Sequence, residues 1–348
     1  MLPDPLRQLL SREPRRPLLA LAPMQDITDL PFMRLLHQYG GPDVYYTEYF
    51  RVHSTSSLDR KILRSIREHE TGKPVIAQMI GNEIPSMVRT AQALEALPVC
   101  AVDLNLGCPA PVVYKKCAGG GLLADPKRVD RLLGGLRAGI RGCFTVKTRI
   151  GFDHTRDYQT ILGHFCRHEI DLLTVHGRTV MEGYRSEVHY DFIKSAVDRL
   201  SCPVIANGNI NSVQLARQVV EETGAAGLMI GRAAIRNPWI FQQIRDDFDG
   251  LPAFVPQGRD VLEYVRRLFE AVRPPELGDQ AHVRKMKKYL NFIGTGAEPT
   301  GRFLHDIRRT DSVASFFKVC RDYLDHSEPM PLTPFQMAGQ ADRGVRVR

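Results

Sequence analysis

The chain has no apolar stretch approaching the roughly 20 residues that span a bilayer, and its short run at 18–21, behind Arg15 and Arg16, lacks the length of a signal-peptide core. A cytoplasmic protein with no membrane partner is therefore expected. Its seven cysteines are odd in number, show no paired spacing and include no Cys-x-x-Cys. That pattern argues against a disulfide framework and against zinc, so no metal is expected. The dinucleotide fingerprint Gly-x-Gly-x-x-Gly and the phosphate loop ending in Gly-Lys-Ser/Thr are missing too, so no Rossmann domain holds a nucleotide. No carboxylate pair is placed for glycosidase work, and no low-complexity tract interrupts the 348 residues.

What is present is an ordinary globular composition with a net charge of +8, which by itself favours an anionic partner only weakly. Residues 255–348 carry sixteen Lys and Arg against twelve Asp and Glu, half of that excess. Between 18 and 231, eight short apolar runs alternate with helical segments, the pattern of βα units. The count predicts a closed (β/α)8 barrel with strands over 18–22, 44–47, 74–79, 99–106, 144–148, 172–175, 203–206 and 227–230. Helices are predicted over 84–96, 126–138, 156–168 and 212–223. Pro252, Pro256 and Gly258 then break the chain near 250–257, and 259–272, 280–293 and 312–326 have helical spacing. The expected organisation is an α/β fold, a TIM barrel over 1–250, followed by a small helical domain over 251–330 and a loose tail over 331–348.

The run 99–106 closes on Asn105-Leu106-Gly107-Cys108-Pro109, soon followed by the glycine-rich stretch 118–121. Gly-Cys-Pro cannot continue a strand smoothly, so Cys108 should project from its carboxyl end, facing a mobile loop, where parallel α/β folds keep their active sites. A single cysteine there is more often a small buried residue. Repetition around the rim changes the balance. The other strand ends carry Pro23-Met24-Gln25, Glu48, Gln78, Lys147 with Arg149, His176 with Arg178, Asn207-Gly208-Asn209, and Gly231-Arg232. Eight such ends form a lined cavity.

The glycines after strands seven and eight, with Arg232, suit a phosphate, although tight turns alone would also explain them. Gln78 and Lys147 suit carbonyl and ring-nitrogen acceptors, and His176 reads either as a ligand or as a satisfied core histidine. Cys108 has no clear histidine partner to make it a hydrolytic nucleophile. A Schiff-base lyase acting through Lys147 and a non-catalytic RNA-binding barrel stay open on these residues alone.

The ordered motifs carry the reading further. Leu-Ala-Pro-Met-Gln-Asp-Ile-Thr-Asp (21–29), Ala-Gln-Met-Ile-Gly (77–81), Asp-Leu-Asn-Leu-Gly-Cys-Pro (103–109), Val-Lys-Thr-Arg (146–149), Val-His-Gly-Arg-Thr (175–179), Ile-Ala-Asn-Gly-Asn-Ile (205–210) and Met-Ile-Gly-Arg-Ala (229–233) resemble, in the same order, the tRNA-dihydrouridine synthases, flavin enzymes that reduce uridines in tRNA. Gln25-Asp26 and Asn209 depart from the commoner family residues and bear on the subfamily.

The resemblance implies that Pro23, Met24, Gln25, Gln78, Lys147, His176, Asn207, Gly208, Asn209, Gly231 and Arg232 hold FMN, with NADPH or NADH as reductant. Hydride would pass to C6 of an extruded uracil while Cys108 gives a proton to C5, with Asn105, Arg149 and Arg178 toward the base and the loop 115–121 closing over it. Arg284, Lys287 and Lys288, largely on one face of the predicted helix 280–293, would meet tRNA phosphates, the bland account being a solvated helix face. A monomer is expected. Small-molecule FMN oxidoreductases of the dihydroorotate or dihydropyrimidine type are the rival reading.

Overall fold

The computed structural model describes residues 2–11, 16–274, 276 and 278–335, so positions 336–348 of the expected tail lie outside the described residues. Among the described residues nine strands form one parallel sheet: β1 Leu18–Leu21, β2 Val44–Tyr46, β3 Phe50–Arg51, β4 Val75–Ile80, β5 Ala101–Leu106, β6 Phe144–Arg149, β7 Leu172–His176, β8 Val204–Asn207 and β9 Gly227–Ile230. β1 pairs with both β2 and β9, and β2 with β4, which closes the eight expected strands into a barrel. β3 is the addition. It pairs with the end of β4, Phe50 opposite Met79 and Arg51 opposite Ile80, and two residues are too few to show a period in sequence.

Alternation along each strand sorts the side chains into two sets. Val102, Leu104 and Leu106 of β5 are buried, as are Val146 of β6 and Leu173 and Val175 of β7. The opposite parity begins apolar and becomes polar along each strand. Leu18, Ala20, Val44, Ile76, Ala101, Cys143, Leu172 and Ile205 form one cluster at the strand starts, joined by Leu6 of the helix Asp4–Leu10. Further along the same parity come Gln78, Asp103, Asn105, Thr145, Lys147, Thr174, His176 and Asn207. The amino-terminal end is thus an apolar plug, and the carboxyl end gathers polar groups.

By internal packing the chain forms two units. The barrel unit comprises the described residues of Met1–Leu30, Pro42–Ile210 and Gln214–Ile230; the second comprises those of Pro31–Gly41, Asn211–Val213 and Gly231–Arg348. The second therefore begins at Gly231 and claims 31–41, where the sequence reading drew a boundary near 250–257. The reason is long-range packing: Tyr39 stands edge-on to Trp239 and Tyr264, at 5.2 and 5.4 Å between ring centroids, and Arg245 donates to the Gly40 and Gly41 carbonyls.

Within this unit the helices Gly258–Ala271, Asp279–Ile293 and Val313–Leu324 match the predicted ones. Arg302–Arg309 is a further helix, entered through Gly301 at φ 79°. Among the described residues no helix is long and apolar enough to cross a membrane.

Candidate active site

At the carboxyl end of the barrel one hydrogen-bonded chain runs from the interior to the Cys108 turn. Thr145 Oγ1 donates to Asp103 Oδ1 at 2.6 Å, and Gln78 Nε2 donates to Asp103 Oδ2 at 2.7 Å. Gln78 Oε1 accepts from Asn105 Nδ2 at 2.7 Å, and Asn105 Oδ1 accepts from the Gly107 and Cys108 amides at 3.0 and 2.9 Å. Each buried polar atom in this chain thereby acquires a partner. Burial pushes the Asp103 carboxyl up to about 6, against the opposing hydrogen bonds from Thr145 and Gln78. Asp103 and Thr145 were not singled out from sequence. Their parity with Asn105 and Lys147 is the signal that identifies them.

Cys108 is half-buried, and desolvation holds its thiol above the ordinary value despite the opposing influence of the Ala110 amide, Arg149 and Lys147. The glycine stretch expected as a mobile loop is instead a buried 3-10 turn, Gly119–Ala124. A Cβ on Gly119 would lie 2.8 Å from Ile80 Cδ1 and 3.1 Å from Cys108 Cβ, and one on Gly120 would lie 2.9 Å from the Cys108 carbonyl oxygen. These glycines permit close approach to the cysteine. Lys115, Lys116 and Cys117, just before them, are exposed.

Arg149 and Arg178, expected to reach toward a base, are 2% and 1% exposed and bind loop carbonyls. Arg149 donates to the carbonyls of Gly107 (2.9 Å), Thr179 (2.8 Å) and Gly183 (3.0 Å), with its guanidinium 5.4 Å from the Tyr184 ring centroid. It ties the Cys108 turn to the loop after β7. Arg178 donates to the Ser186 carbonyl at 2.6 and 2.8 Å and to Asn209 Oδ1 at 3.3 Å, with Nη1 3.4 Å from His176 Nε2.

The remaining rim residues of this unit lie where the strand ends place them. Lys147 Nζ donates to Asn207 Oδ1 at 3.2 Å, and Asn207 Nδ2 to the Met229 carbonyl at 2.8 Å. Burial and the neighbouring Arg149 charge lower Lys147 to about 8. Gly208 and Asn209 turn through φ 133° and 47°, and a Cβ on Gly208 would meet Val188 at 2.8 Å. After β1, Met24 N donates to Thr28 Oγ1 at 2.8 Å, and exposed Gln25 donates to Glu48 Oε2 at 3.3 Å. Burial, with Asp29 and Asp26 nearby, raises Glu48 to about 7. Pro23 is half-buried in the same turn. Among the described residues no three His, Cys, Asp or Glu side chains are grouped to hold a metal ion.

In the second unit Gly231 precedes the helix Arg232–Arg236. The four cations at 284–288 divide. Arg284 and Lys288 are exposed. Lys285 Nζ donates to the Val272 carbonyl at 2.9 Å, and Lys287 Nζ to the carbonyls of Arg308, at 2.9 Å, and Thr310. Lys287 thus satisfies the carboxyl end of the helix Arg302–Arg309, which removes it from the phosphate-facing set expected from sequence.

Comparison with known proteins places this geometry. The model of the dihydrouridine synthase family matches residues 20–318. The chain is 33% identical over 318 residues to tRNA-dihydrouridine synthase B of Pseudomonas putida, covering 88% of this chain and 93% of that one. It is 37% identical over 227 residues to the protein of the same name from Pseudomonas syringae pv. tomato, covering 65% and 67%. A probable tRNA-dihydrouridine synthase of Helicobacter pylori is 35% identical over 311 residues, covering 88% and 92%. Among solved structures, histamine dehydrogenase from Rhizobium sp. 4-9 is similar at TM-score 0.54 and 12% identity, over 93% of this chain and 65% of that one, a likeness of fold alone.

Proposed function

Because the chain belongs to the dihydrouridine synthase family, we propose that it reduces uridines of tRNA to 5,6-dihydrouridine in the cytoplasm, with FMN as cofactor and NADPH or NADH as reductant. The observation that carries the reading is the Cys108 turn, a protonated thiol fixed at the carboxyl end of a barrel strand beside a ring of amide and cationic donors.

The residues present suit a flavin. Half-buried Lys147 has the Asn207 amide oxygen as its hydrogen-bond acceptor, so its ammonium keeps donors for carbonyl and ring-nitrogen atoms. Gln78, held between Asp103 and Asn105, and His176 complete that donor edge, with Pro23, Met24 and Gln25 on the turn after β1. The left-handed turn at Gly208 and Asn209 offers backbone amides to a phosphate. Gly231 and Arg232 enter the reading through chain order after β9. FMN, when bound, supplies hydride to C6 of the uracil.

Cys108 supplies the proton to C5. A donor must be the thiol, and burial keeps it in that form at neutral pH. Asn105 and Arg149 position it by holding the Gly107 carbonyl and the Gly107 and Cys108 amides. The packed turn Gly119–Ala124 excludes water on one side. Extruding a base costs a few kcal/mol, least in single-stranded loops, which suits a tRNA loop. Exposed Arg284 and Lys288 are the proposed contacts to its phosphates.

The test is mass-spectrometric mapping of dihydrouridine in tRNA from a host without its own synthases, expressing either this chain or its Cys108→Ala variant. A gain of two hydrogens at a defined uridine, lost in the variant, is expected. Yellow protein with no gain would instead favour a small-molecule flavin oxidoreductase.

A further inference from the structure

Glu48 stands where two elements of the rim meet. Thr47, just past β2, is fully buried and stitched to β4: its amide donates to the Ile76 carbonyl at 3.0 Å, and its Oγ1 accepts from the Gln78 amide at 3.1 Å. The backbone that carries Glu48 is therefore tied to the strand that carries Gln78. From there the half-buried Glu48 side chain crosses to the turn after β1, where Oε1 accepts from the Ile27 amide at 3.2 Å and Oε2 from Gln25 Nε2 at 3.3 Å.

That turn is tight. The Met24 carbonyl accepts from the Ile27 and Thr28 amides at 3.1 and 3.0 Å, and Asp26 lies at φ 61°, in the left-handed region that a non-glycine residue occupies only when its surroundings hold it there. Glu48 supplies one acceptor to the backbone of the turn and one to a side chain on it. Asp29 and Asp26 face Glu48 with like charge, so a carboxylate is an expensive group at this place, and an amide would accept at one oxygen without that repulsion. What the carboxylate adds is the second accepting oxygen.

Resting on the FMN reading proposed above, we infer that Glu48 is a positioning residue of the cofactor site: its carboxylate fixes the turn bearing Pro23, Met24 and Gln25 to the segment stitched to Gln78, and so governs how tightly FMN is held. The role carries its own pH dependence. Protonation turns one carboxylate oxygen into a donor, and one of the two bonds to the turn is then lost. Burial, with Asp29 and Asp26 nearby, raises this carboxyl to about 7, so both bonds are present above that pH and one goes as pH falls through it.

Glu48→Gln and Glu48→Ala in the full-length protein test this through FMN binding to the cofactor-free form, read by quenching of flavin fluorescence, which needs neither reductant nor RNA. At about pH 8, Glu48→Ala is expected to weaken FMN binding at least about 10-fold and Glu48→Gln about 3-fold. Toward about pH 6 the ratio of the Glu48→Gln Kd to the wild-type Kd is expected to fall to about 1, because titrations of FMN itself and of Lys147 cancel in the ratio. Glu48→Gln keeps the shape of the side chain and decides the question even where Glu48→Ala does not fold. A ratio that stays constant with pH, or Glu48→Gln protein that binds FMN as tightly as wild type at the higher pH, overturns the positioning role alone. Wild-type protein that binds no FMN overturns the proposed cofactor and the positioning role with it.

Discussion

Lys147→Met is expected to make the cofactor-free protein more stable at neutral pH while impairing FMN binding. Lys147 falls from 10.5 to about 8 chiefly through burial, so keeping it charged at pH 7 costs about 3 kcal/mol. Methionine fills a similar volume without the charge. It forfeits the 3.2 Å hydrogen bond to Asn207, about 1 kcal/mol, which leaves a net gain of about 2 kcal/mol.

The sign of the pH dependence follows from linkage. Folded Lys147 releases its proton near 8 and the unfolded residue near 10.5, so within that window the unfolded chain binds more protons and wild-type stability gains from rising pH. The methionine variant lacks this gain. Urea unfolding of both proteins between pH 7 and 10 therefore measures a difference that shrinks as pH rises, other titrations cancelling in the subtraction. A difference that stays constant over that range would refute the assignment of a buried, costly ammonium.

Asp103→Ala strands Gln78 Nε2 and Thr145 Oγ1 without their acceptor; a loss of about 2–4 kcal/mol in denaturant unfolding is expected, with reduced turnover as the Asn105–Cys108 turn loosens. Because the raised Asp103 carboxyl favours the protonated form in the folded state, wild-type stability should fall as pH rises from 3.8 to about 6, a slope missing in Asp103→Asn. In the helical unit, Arg284→Ala with Lys288→Ala should weaken tRNA binding and reduce its salt slope by about 1–2 while leaving flavin reduction unchanged. Lys287→Ala should instead cost about 1 kcal/mol of stability, because its ammonium serves the Arg308 and Thr310 carbonyls. Binding titrations at several salt concentrations, paired with unfolding curves, separate these effects.

The barrel was legible because its eight strands are short apolar runs separated by helical segments, a pattern that survives uncertain boundaries. What escaped was set by distance in the chain. β3 exists through its pairing with the end of β4. The assignment of 31–41 to the helical unit depends on Tyr39 meeting Trp239 and Tyr264, residues some 200 positions away, and no local period announces that.

At the candidate site, legibility tracked side-chain length. Gln78, Asn105 and Asn207 are too short to leave the strand ends that carry them, so rim position alone located them, and the hydrogen bonds of Asn105 to Gln78 and of Asn207 to the Met229 carbonyl follow from adjacent strands in register. Arg149, Arg178 and Lys287 are long enough to turn back, and the acceptors they find are carbonyls of loops or of a helix end whose placement the sequence does not specify. Charge at a rim or on a helix face is therefore evidence of location and weak evidence of a ligand. Asp103 was missed for a different reason. Alternation in 102–106 invites the apolar residues inward, but a barrel buries both faces of its strands: Val102, Leu104 and Leu106 are buried on one parity, while Asp103 and Asn105, on the other, join the hydrogen-bonded chain that ends at the proposed proton donor.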